Sequence, residues 1–298
     1  MTIQESANRS TTKHVIVTGA TGFVGQHLVK SLIEKNYIVT VLARNLEKAS
    51  QIEQLKNLNI IHFDIENPNQ KLELPLDATL IHCAWEDVRD TLQMSHIEKH
   101  FLNNYLFLKN IITSGIKNII ITGTGLEYGL QYGGISALSD TKPNTPYSLA
   151  KDHLHKSLRL LQKEIDFNLI WARIFYLYGS GQHEKSIIPL LDKALERNDS
   201  VFNMSLGEQL FDYLPVEKVA DYLATLVNYK NGIINITKGE PISLRRILEN
   251  RMKEKEKYIE LNLGYYDYRQ QDSLAIWGDK SFENQLNDLI NNPQITTS

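Results

Sequence analysis

The sequence predicts an α/β fold, a Rossmann-type doubly wound parallel sheet with a smaller C-terminal substrate-binding lobe. Three observations predict it. Short apolar runs alternate with helical stretches through the first half of the chain. A glycine-rich turn joins the first apolar run to the first helix. The pattern becomes less regular after Arg173, where we expect the second lobe.

Each expected strand of the first half is a short, continuous apolar run, which is typical of a parallel sheet covered by helices on both faces. The strands are expected at 14–18, 37–43, 59–63, 78–83, 117–122 and 168–173. The intervening helices are expected at 22–35, 46–56, about 91–114 and 146–165. In the first helix, Val24, Leu28 and Leu32 recur at helical spacing. Ligands of such folds bind at the carboxyl ends of the strands.

The second half predicts helices near 186–197 and 216–229 and a short strand at 201–204. We therefore expect a flexible N-terminus at 1–13, a dinucleotide-binding Rossmann domain at 14–175 and a mainly substrate-binding lobe at 176–298. Residues 213–237 are expected to return to the Rossmann domain. The tail from about Asp279, which is rich in Asn and Gln, is expected to be peripheral.

Composition excludes several classes of protein. The formal charge of −3 and the lack of a basic block argue against nucleic-acid or membrane partners. Residues 1–13 have no apolar core, and no apolar run approaches the roughly 20 residues that span a bilayer, so we expect a cytoplasmic protein. Cys83 is the sole cysteine, and no histidine spacing suggests a metal site. His153 and His155 are expected at the surface or an interface.

The glycine-rich turn reads TGATGFVG at 18–25, with G-x-x-G-x-x-G spacing between a strand and a helix. Gly19 permits the tight turn, Gly22 lets a pyrophosphate approach the backbone, and Gly25 lets the helix pack against the strand. The helix N-terminus attracts phosphate. The alternative is an ordinary glycine-rich turn. The intervening residues are also expected to contact the cofactor: Thr21, Phe23 and Val24.

The second strand is followed by Arg44, where NAD-binding proteins usually carry an acidic residue. A cation suits the 2′-phosphate, so Arg44 favours NADPH, with NAD as the alternative cofactor. Arg44 is otherwise a surface arginine. Asp64 is expected to accept from the adenine amino group or to cap a helix. Ile65 and Ala84 complete the expected cofactor site.

Tyr147 and Lys151 lie four residues apart at the start of a helix, and so on one helical face. A nearby ammonium is expected to lower the pKa of the phenol, which then exchanges a proton with a carbonyl oxygen. Lys151 is also expected to hold the nicotinamide ribose. Thr124, just past the fifth strand, is expected to bond the substrate carbonyl; alternatively it satisfies local backbone.

These motifs together closely resemble the extended short-chain dehydrogenase/reductase family, also called the NAD-dependent epimerase/dehydratase family, over about residues 13–240. The resemblance implies a catalytic triad of Thr124, Tyr147 and Lys151, nucleotide-diphosphate-sugar substrates and a homodimer. We expect six residues to form the substrate site: Trp85 and Glu86 after the fourth strand, Arg173 and Tyr176 in the segment RIFYLYG, and Ile188 and Phe202 near the nucleotide base. Trp85 is alternatively a core residue.

The family's dehydratases carry T-D-E-x-Y-G at the end of the fifth strand, whereas this chain reads TGLEYG at 124–129. Glu127 comes one position late and is expected to face elsewhere, so dehydration is disfavoured. Similarity to bacterial sugar-biosynthesis ketoreductases favours NADPH-dependent reduction of a 4-keto-6-deoxysugar nucleotide for surface sugars such as lipopolysaccharide. The alternatives are a nucleotide-sugar epimerase with bound NAD and a non-enzymatic NADP(H)-sensing regulator.

Overall fold

The computed structural model describes residues 13–291, so all but residue 13 of the expected flexible N-terminus lies outside the described residues. In chain order the strands are β1 (His14–Thr18), β2 (Ile38–Ala43), β3 (Asn59–His62), β4 (Thr79–His82), β5 (Asn118–Thr124), β6 (Gly133–Ile135), β7 (Asn168–Ile174), β8 (Tyr176–Tyr178), β9 (Val201–Asn203), β10 (Leu210–Phe211), β11 (Tyr213–Pro215), β12 (Gly232–Ile236), β13 (Ile242–Ser243), β14 (Glu260–Asn262) and β15 (Ala275–Gly278).

The helices are α1 (Phe23–Glu34), α2 (Leu46–Gln51), α3 (Phe101–Thr113), α4 (Pro146–Leu161), α5 (Ile187–Arg197), α6 (Val216–Thr225), α7 (Leu244–Glu254) and α8 (Phe282–Asn291). A π-helical turn at His96–His100 leads into α3. The helix expected from residue 91 therefore begins later, because Asp90 accepts from the backbone N–H of Leu92 and holds that stretch as a turn. Single 3₁₀ turns lie at Glu53–Leu55, Gly125–Tyr128 and Leu226–Asn228.

Seven strands form a parallel sheet in the order β12-β7-β5-β4-β1-β2-β3. Two apolar layers cover it. One layer packs α1 and α6 against one face, and the other packs α3 and α4 against the opposite face. This arrangement confirms the predicted Rossmann-type fold. The strand order reverses beside β1, and that reversal opens a crevice at the carboxyl ends of the strands.

The second lobe holds a four-stranded mixed sheet, β13-β10-β15-β6, and a small core between α5 and α7. Strand β12 pairs in parallel with β7, so the chain returns to the main sheet after α6. The tail is not peripheral as expected. Phe282 of α8 is 2% exposed, and its ring stacks on Tyr222 with centroids 4.0 Å apart. The apolar residues of α8 recur at helical spacing, and one face of this helix is therefore buried.

Candidate active site

The turn after β1 has no room for side chains at two of its glycines. Gly19 has a φ of +72°, and a Cβ there would lie 2.7 Å from the backbone nitrogen of Ala84. A Cβ on Gly25 would lie 2.1 Å from the carbonyl oxygen of Gly19. Gly22 precedes α1 without a side-chain cap, so the first N–H groups of that helix face the turn uncapped by a side chain. We call this turn, together with the start of α1 (residues 18–25), the cradle. It fits a dinucleotide pyrophosphate.

Buried polar groups fix the neighbouring end of β4. The Thr18 hydroxyl lies 2.8 Å from His82 Nδ1, and His82 Nε2 lies 2.7 Å from Asn104 Oδ1. Burial, with the charge of Lys151 in second place, lowers the pKa of His82 to about 3, so the ring is neutral. A neutral ring donates through Nε2 and accepts through Nδ1. Thr18 also accepts from the N–H of Ala84, which holds that residue against the glycine turn.

Helix α4 is positioned by a capping box. Thr145 and Ser148 exchange side-chain-to-backbone hydrogen bonds, and Pro146 occupies the first helical position. The backbone N–H of Tyr147 donates to the carbonyl oxygen of Thr91 at 3.1 Å. This start places Tyr147 and Lys151 one turn apart beside the end of β5.

Tyr147 and Thr124 line one cavity. Burial, and then the negative charge of Glu127, raise the pKa of Tyr147 above its usual value, and Thr124 only partly offsets them. The expected lowering of this pKa by Lys151 is therefore not found. The reason is that the Lys151 ammonium is directed away from the phenol. The phenol therefore stays protonated at neutral pH.

Lys151 is 1% exposed, and its Nζ donates to the carbonyl oxygen of Thr122 at 3.0 Å. The same ammonium lies 4.1 Å from the ring centroid of Trp85, a cation–π distance. Burial lowers the pKa of Lys151 to about 8, against the opposing effects of Glu127 and Cys83. Most Lys151 side chains thus remain charged at pH 7.

The indole of Trp85 is held by a residue that sequence reasoning missed. Trp85 Nε1 donates to His96 Nδ1 at 3.1 Å, and His96 Nε2 bonds the carbonyl oxygen of Asp90 at 3.0 Å. The ring centroids of Trp85 and His96 lie 6.1 and 5.2 Å from that of Tyr147. His96 lies in the π-helical turn, where no sequence pattern marked it.

Beneath Thr124 lies a buried carboxylate. Glu127 is fully buried and accepts from the Thr124 N–H at 2.8 Å, from Arg173 Nε at 2.6 Å and from Trp171 Nε1 at 3.0 Å. As expected, it faces away from the cavity. Arg173 is only 2% exposed, and its Nη1 donates to the Tyr128 hydroxyl and the Ala137 carbonyl. The structure does not bring Arg173 to the cavity, where substrate binding would require it.

The cavity, of about 280 Å³, lies between the carboxyl ends of β5 and β7 and the second lobe. Its polar side chains are few. Apart from Tyr176, the sequence did not predict the residues that the second lobe contributes, because Gln271, Ser273 and Ile276 come from distant segments of the chain. The lining residues are Val88, Thr124, Gly125, Leu126, Gly129, Tyr147, Ile174, Phe175, Tyr176, Leu177, Gln271, Ser273 and Ile276.

The remaining predicted residues divide between this cavity and other places. Tyr176 lines the cavity, with its ring stacked on Phe211 at 4.0 Å between centroids. Ile188 and Phe202 instead pack against the core between α5 and α7. Asp64 accepts from the N–H of Glu66, which makes it a turn cap at the end of β3.

Arg44 and Glu86, predicted for different ligands, form an ion pair with each other. Their side chains are 58% and 25% exposed. The described residues hold no cluster of three or more potential metal ligands, and none of their helices is long and apolar enough to cross a bilayer.

Comparison with known proteins connects this geometry to a family. A sequence model of the NAD dependent epimerase/dehydratase family matches residues 15–237, which include the glycine turn, the end of β5 and the start of α4.

Two curated relatives match most of the chain. The dTDP-6-deoxy-L-talose 4-dehydrogenase (NAD(+)) of Aggregatibacter actinomycetemcomitans is 30% identical over 275 residues, which are 90% of this chain and 100% of that protein. The dTDP-4-dehydro-6-deoxyglucose reductase of Escherichia coli is 23% identical over 79% of each chain.

A solved structure has the same fold. The UDP-N-acetylglucosamine 4-epimerase of Methanobrevibacter ruminantium, in complex with UDP-N-acetylmuramic acid, superposes with a TM-score of 0.76 at 22% identity. The superposition covers 96% of this chain and 97% of that one.

Proposed function

The chain belongs to the NAD dependent epimerase/dehydratase family, and from that premise we propose that it reduces the 4-keto group of a nucleotide-diphosphate 6-deoxysugar with NADPH. One observation carries the proposal. A protonated phenol and a threonine hydroxyl converge on one mostly apolar cavity at the carboxyl ends of β5 and β7.

The chain's own residues fit the cofactor. The uncapped N-terminus of α1 and the turn around Gly19 and Gly25 would hold the pyrophosphate, and Lys151 would hold the nicotinamide ribose. When bound, the reduced nicotinamide supplies the hydride that reaches C4 of the sugar. Trp85, which lies against Lys151, has to make room for the ribose or form one side of its site.

Tyr147 would act as the general acid. Reduction of the C4 carbonyl leaves an alkoxide oxygen that needs one proton, and the neutral phenol donates it. The phenol carries its proton at neutral pH, so the proton is present before hydride arrives. Thr124 would donate a hydrogen bond to the same oxygen. Lys151 would act on the ribose rather than on the phenol, because its ammonium is directed at the Thr122 carbonyl and the Trp85 ring.

The cavity supports a 6-deoxysugar in particular. Val88, Leu126, Ile174 and Ile276 line the cavity and would provide apolar contacts to a C6 methyl group. The names of both curated relatives place an oxidation or reduction at position 4 of a 6-deoxysugar nucleotide.

The proposed preference for NADPH depends on Arg44, which directly follows β2. Replacing the cation in Arg44→Asp should shift the ratio of kcat/KM values for NADPH and NADH about tenfold or more toward NADH. The matched control is Arg197→Asp, at an exposed arginine of α5. An unchanged ratio would mean that Arg44 does not meet the cofactor.

The decisive experiment measures oxidation of NADPH and NADH with a panel of nucleotide 4-keto-6-deoxysugars, with the corresponding 6-hydroxy sugars as controls. We expect turnover with at least one 4-keto-6-deoxysugar and with no 6-hydroxy sugar. Sugar conversion by protein that copurifies with NAD, without added reductant, would indicate an epimerase instead. Capture of a protein partner together with no turnover on any ketone would favour a regulator.

A further inference from the structure

The ion pair between Arg44 and Glu86 spans the strand that carries the glycine turn. Arg44 directly follows β2, and Glu86 lies in the loop after β4. Strands β2 and β4 pair with β1 on its two opposite sides. The contact between Arg44 Nη1 and Glu86 Oε1 therefore crosses the carboxyl end of β1, above the start of the cradle.

Glu86 faces other charged groups besides Arg44. Its second oxygen lies 3.7 Å from His100 Nδ1, and His100 Nε2 lies 3.1 Å from Asp87 Oδ2. The ammonium of Lys99 is close enough for the charge of Glu86 to raise its pKa. Arg44 is the cation at shortest range from Glu86, and Glu86 is the only carboxylate that forms an ion pair with Arg44 among the residues the structure describes.

An anionic ligand can compete with Glu86 for Arg44. Arg44 is more than half exposed, and exposed ion pairs contribute little to the stability of a protein. A phosphate bonds an arginine by charge-assisted, often bidentate hydrogen bonds, which are stronger. A 2′-phosphate can therefore displace Glu86 from Arg44. The phosphate then lies beside the Glu86 carboxylate, which is also negatively charged.

We propose that Glu86 sets the cofactor selectivity of this chain by opposing the preference for a 2′-phosphate that Arg44 creates. With NADH, Arg44 stays paired and the carboxylate is available to accept from a ribose hydroxyl. With NADPH, the pair opens and Glu86 repels the phosphate. This inference rests on the proposed function only in requiring a dinucleotide in the cradle.

The experiment measures the dissociation constants of NADPH and NADH by fluorescence titration of the full chain, without any sugar. In Glu86→Gln the affinity for NADPH should rise about fivefold, because the amide neither competes for Arg44 nor repels phosphate. The affinity for NADH should stay within about twofold. The matched control is Glu53→Gln, which removes an exposed carboxylate paired with Lys56 outside the cradle and should change neither constant.

Two results would overturn the proposal in distinguishable ways. If both dinucleotides bind and Glu86→Gln leaves their affinity ratio unchanged, Glu86 has no selectivity role and the proposed function stands. If neither dinucleotide binds the wild-type chain, the cofactor site and the proposed function fall with it. Glu86→Ala removes the same charge and replaces Glu86→Gln in the titration if the glutamine variant does not fold.

Discussion

Two groups of polar residues lie near the end of β5 and differ in what surrounds them. The pocket layer is Thr124 and Tyr147, which line the cavity, together with Lys151, whose ammonium lies against Trp85. The buried polar layer, which is Glu127, Arg173, Tyr128 and Asn235, lies beneath it and is bonded internally throughout. Thr124 and Glu127 are only three residues apart, yet Thr124 lines the cavity and Glu127 faces the core. Substitution in the first layer should therefore reduce turnover, and substitution in the second should reduce stability.

The largest expected effect tests the pocket layer. Tyr147→Phe removes the proton donor while keeping the ring that packs near Trp85 and His96. Turnover should fall roughly 1,000-fold, since a positioned acid contributes about 100- to 10,000-fold. Steady-state rates, dinucleotide titration and thermal unfolding measure the three consequences.

The melting temperature and the dinucleotide affinity should stay unchanged in Tyr147→Phe. The control Tyr258→Phe alters an exposed phenol, and its turnover should equal that of the wild type. Normal turnover in Tyr147→Phe would remove the distinction between the two layers at its strongest point.

The next effect tests the buried polar layer. Arg173→Met leaves Glu127 as a buried carboxylate without its cation, which should lower the free energy of unfolding by about 3 kcal/mol. Denaturant titration measures it. Arg197→Met, at an exposed pair with Asp199, should change stability by less than about 0.5 kcal/mol.

The opposite pattern in Arg173→Met would also be informative. Unchanged stability together with a raised KM for the sugar would place Arg173 at the substrate, as the family resemblance implies.

The smallest effect concerns His155, which stacks on Trp171 beside the buried polar layer. Its Nε2 is buried and finds no hydrogen-bond partner among residues 13–291. Burial, and then the charge of Arg173, lower the pKa of His155 from 6.5 to about 3. The unfolded chain therefore binds this proton below pH 6.5 while the folded chain does not. The resulting stability is complete above pH 6.5 and declines as the pH falls toward 3.

His155→Phe should remove this dependence. Between pH 7 and pH 5 the variant should lose about 2 kcal/mol less stability than the wild type, measured by denaturant titration at each pH. His153→Phe, at the exposed histidine of the same helix, should retain the wild-type slope. Equal slopes in His155→Phe and wild type would mean that His155 is protonated within the fold.

The sequence predicted best what depends on neighbours along the chain. The glycine turn is specified between β1 and α1 by residues within one strand–turn–helix unit. The spacing of Tyr147 and Lys151 depends only on the helical repeat. Six of the seven strands of the large sheet followed from apolar runs, with expected bounds within two residues of the observed ones, whereas β12 was not predicted as a strand.

What the sequence could not predict comes from distant segments. Ser273 reaches the cavity wall because its hydroxyl bonds the carbonyl of Gln131, and β15 pairs with β6 across more than a hundred residues. His155 was expected at the surface, but the ring of Trp171 from β7 covers it. Such contacts depend on packing between elements and leave no periodic pattern in either segment.

Gln285 of α8 bonds the edge of the large sheet, and this contact affects how whole molecules can associate. Gln285 Oε1 accepts from the backbone N–H of Asn235 at 2.8 Å, and its Nε2 donates to the carbonyl oxygen of the same residue at 3.1 Å. Because β12 is the outermost strand of the large sheet, these are the groups that a neighbouring molecule would use to extend the sheet by strand addition. One amide thus imitates an extra strand, and shortening the chain before α8 would open that edge to self-association.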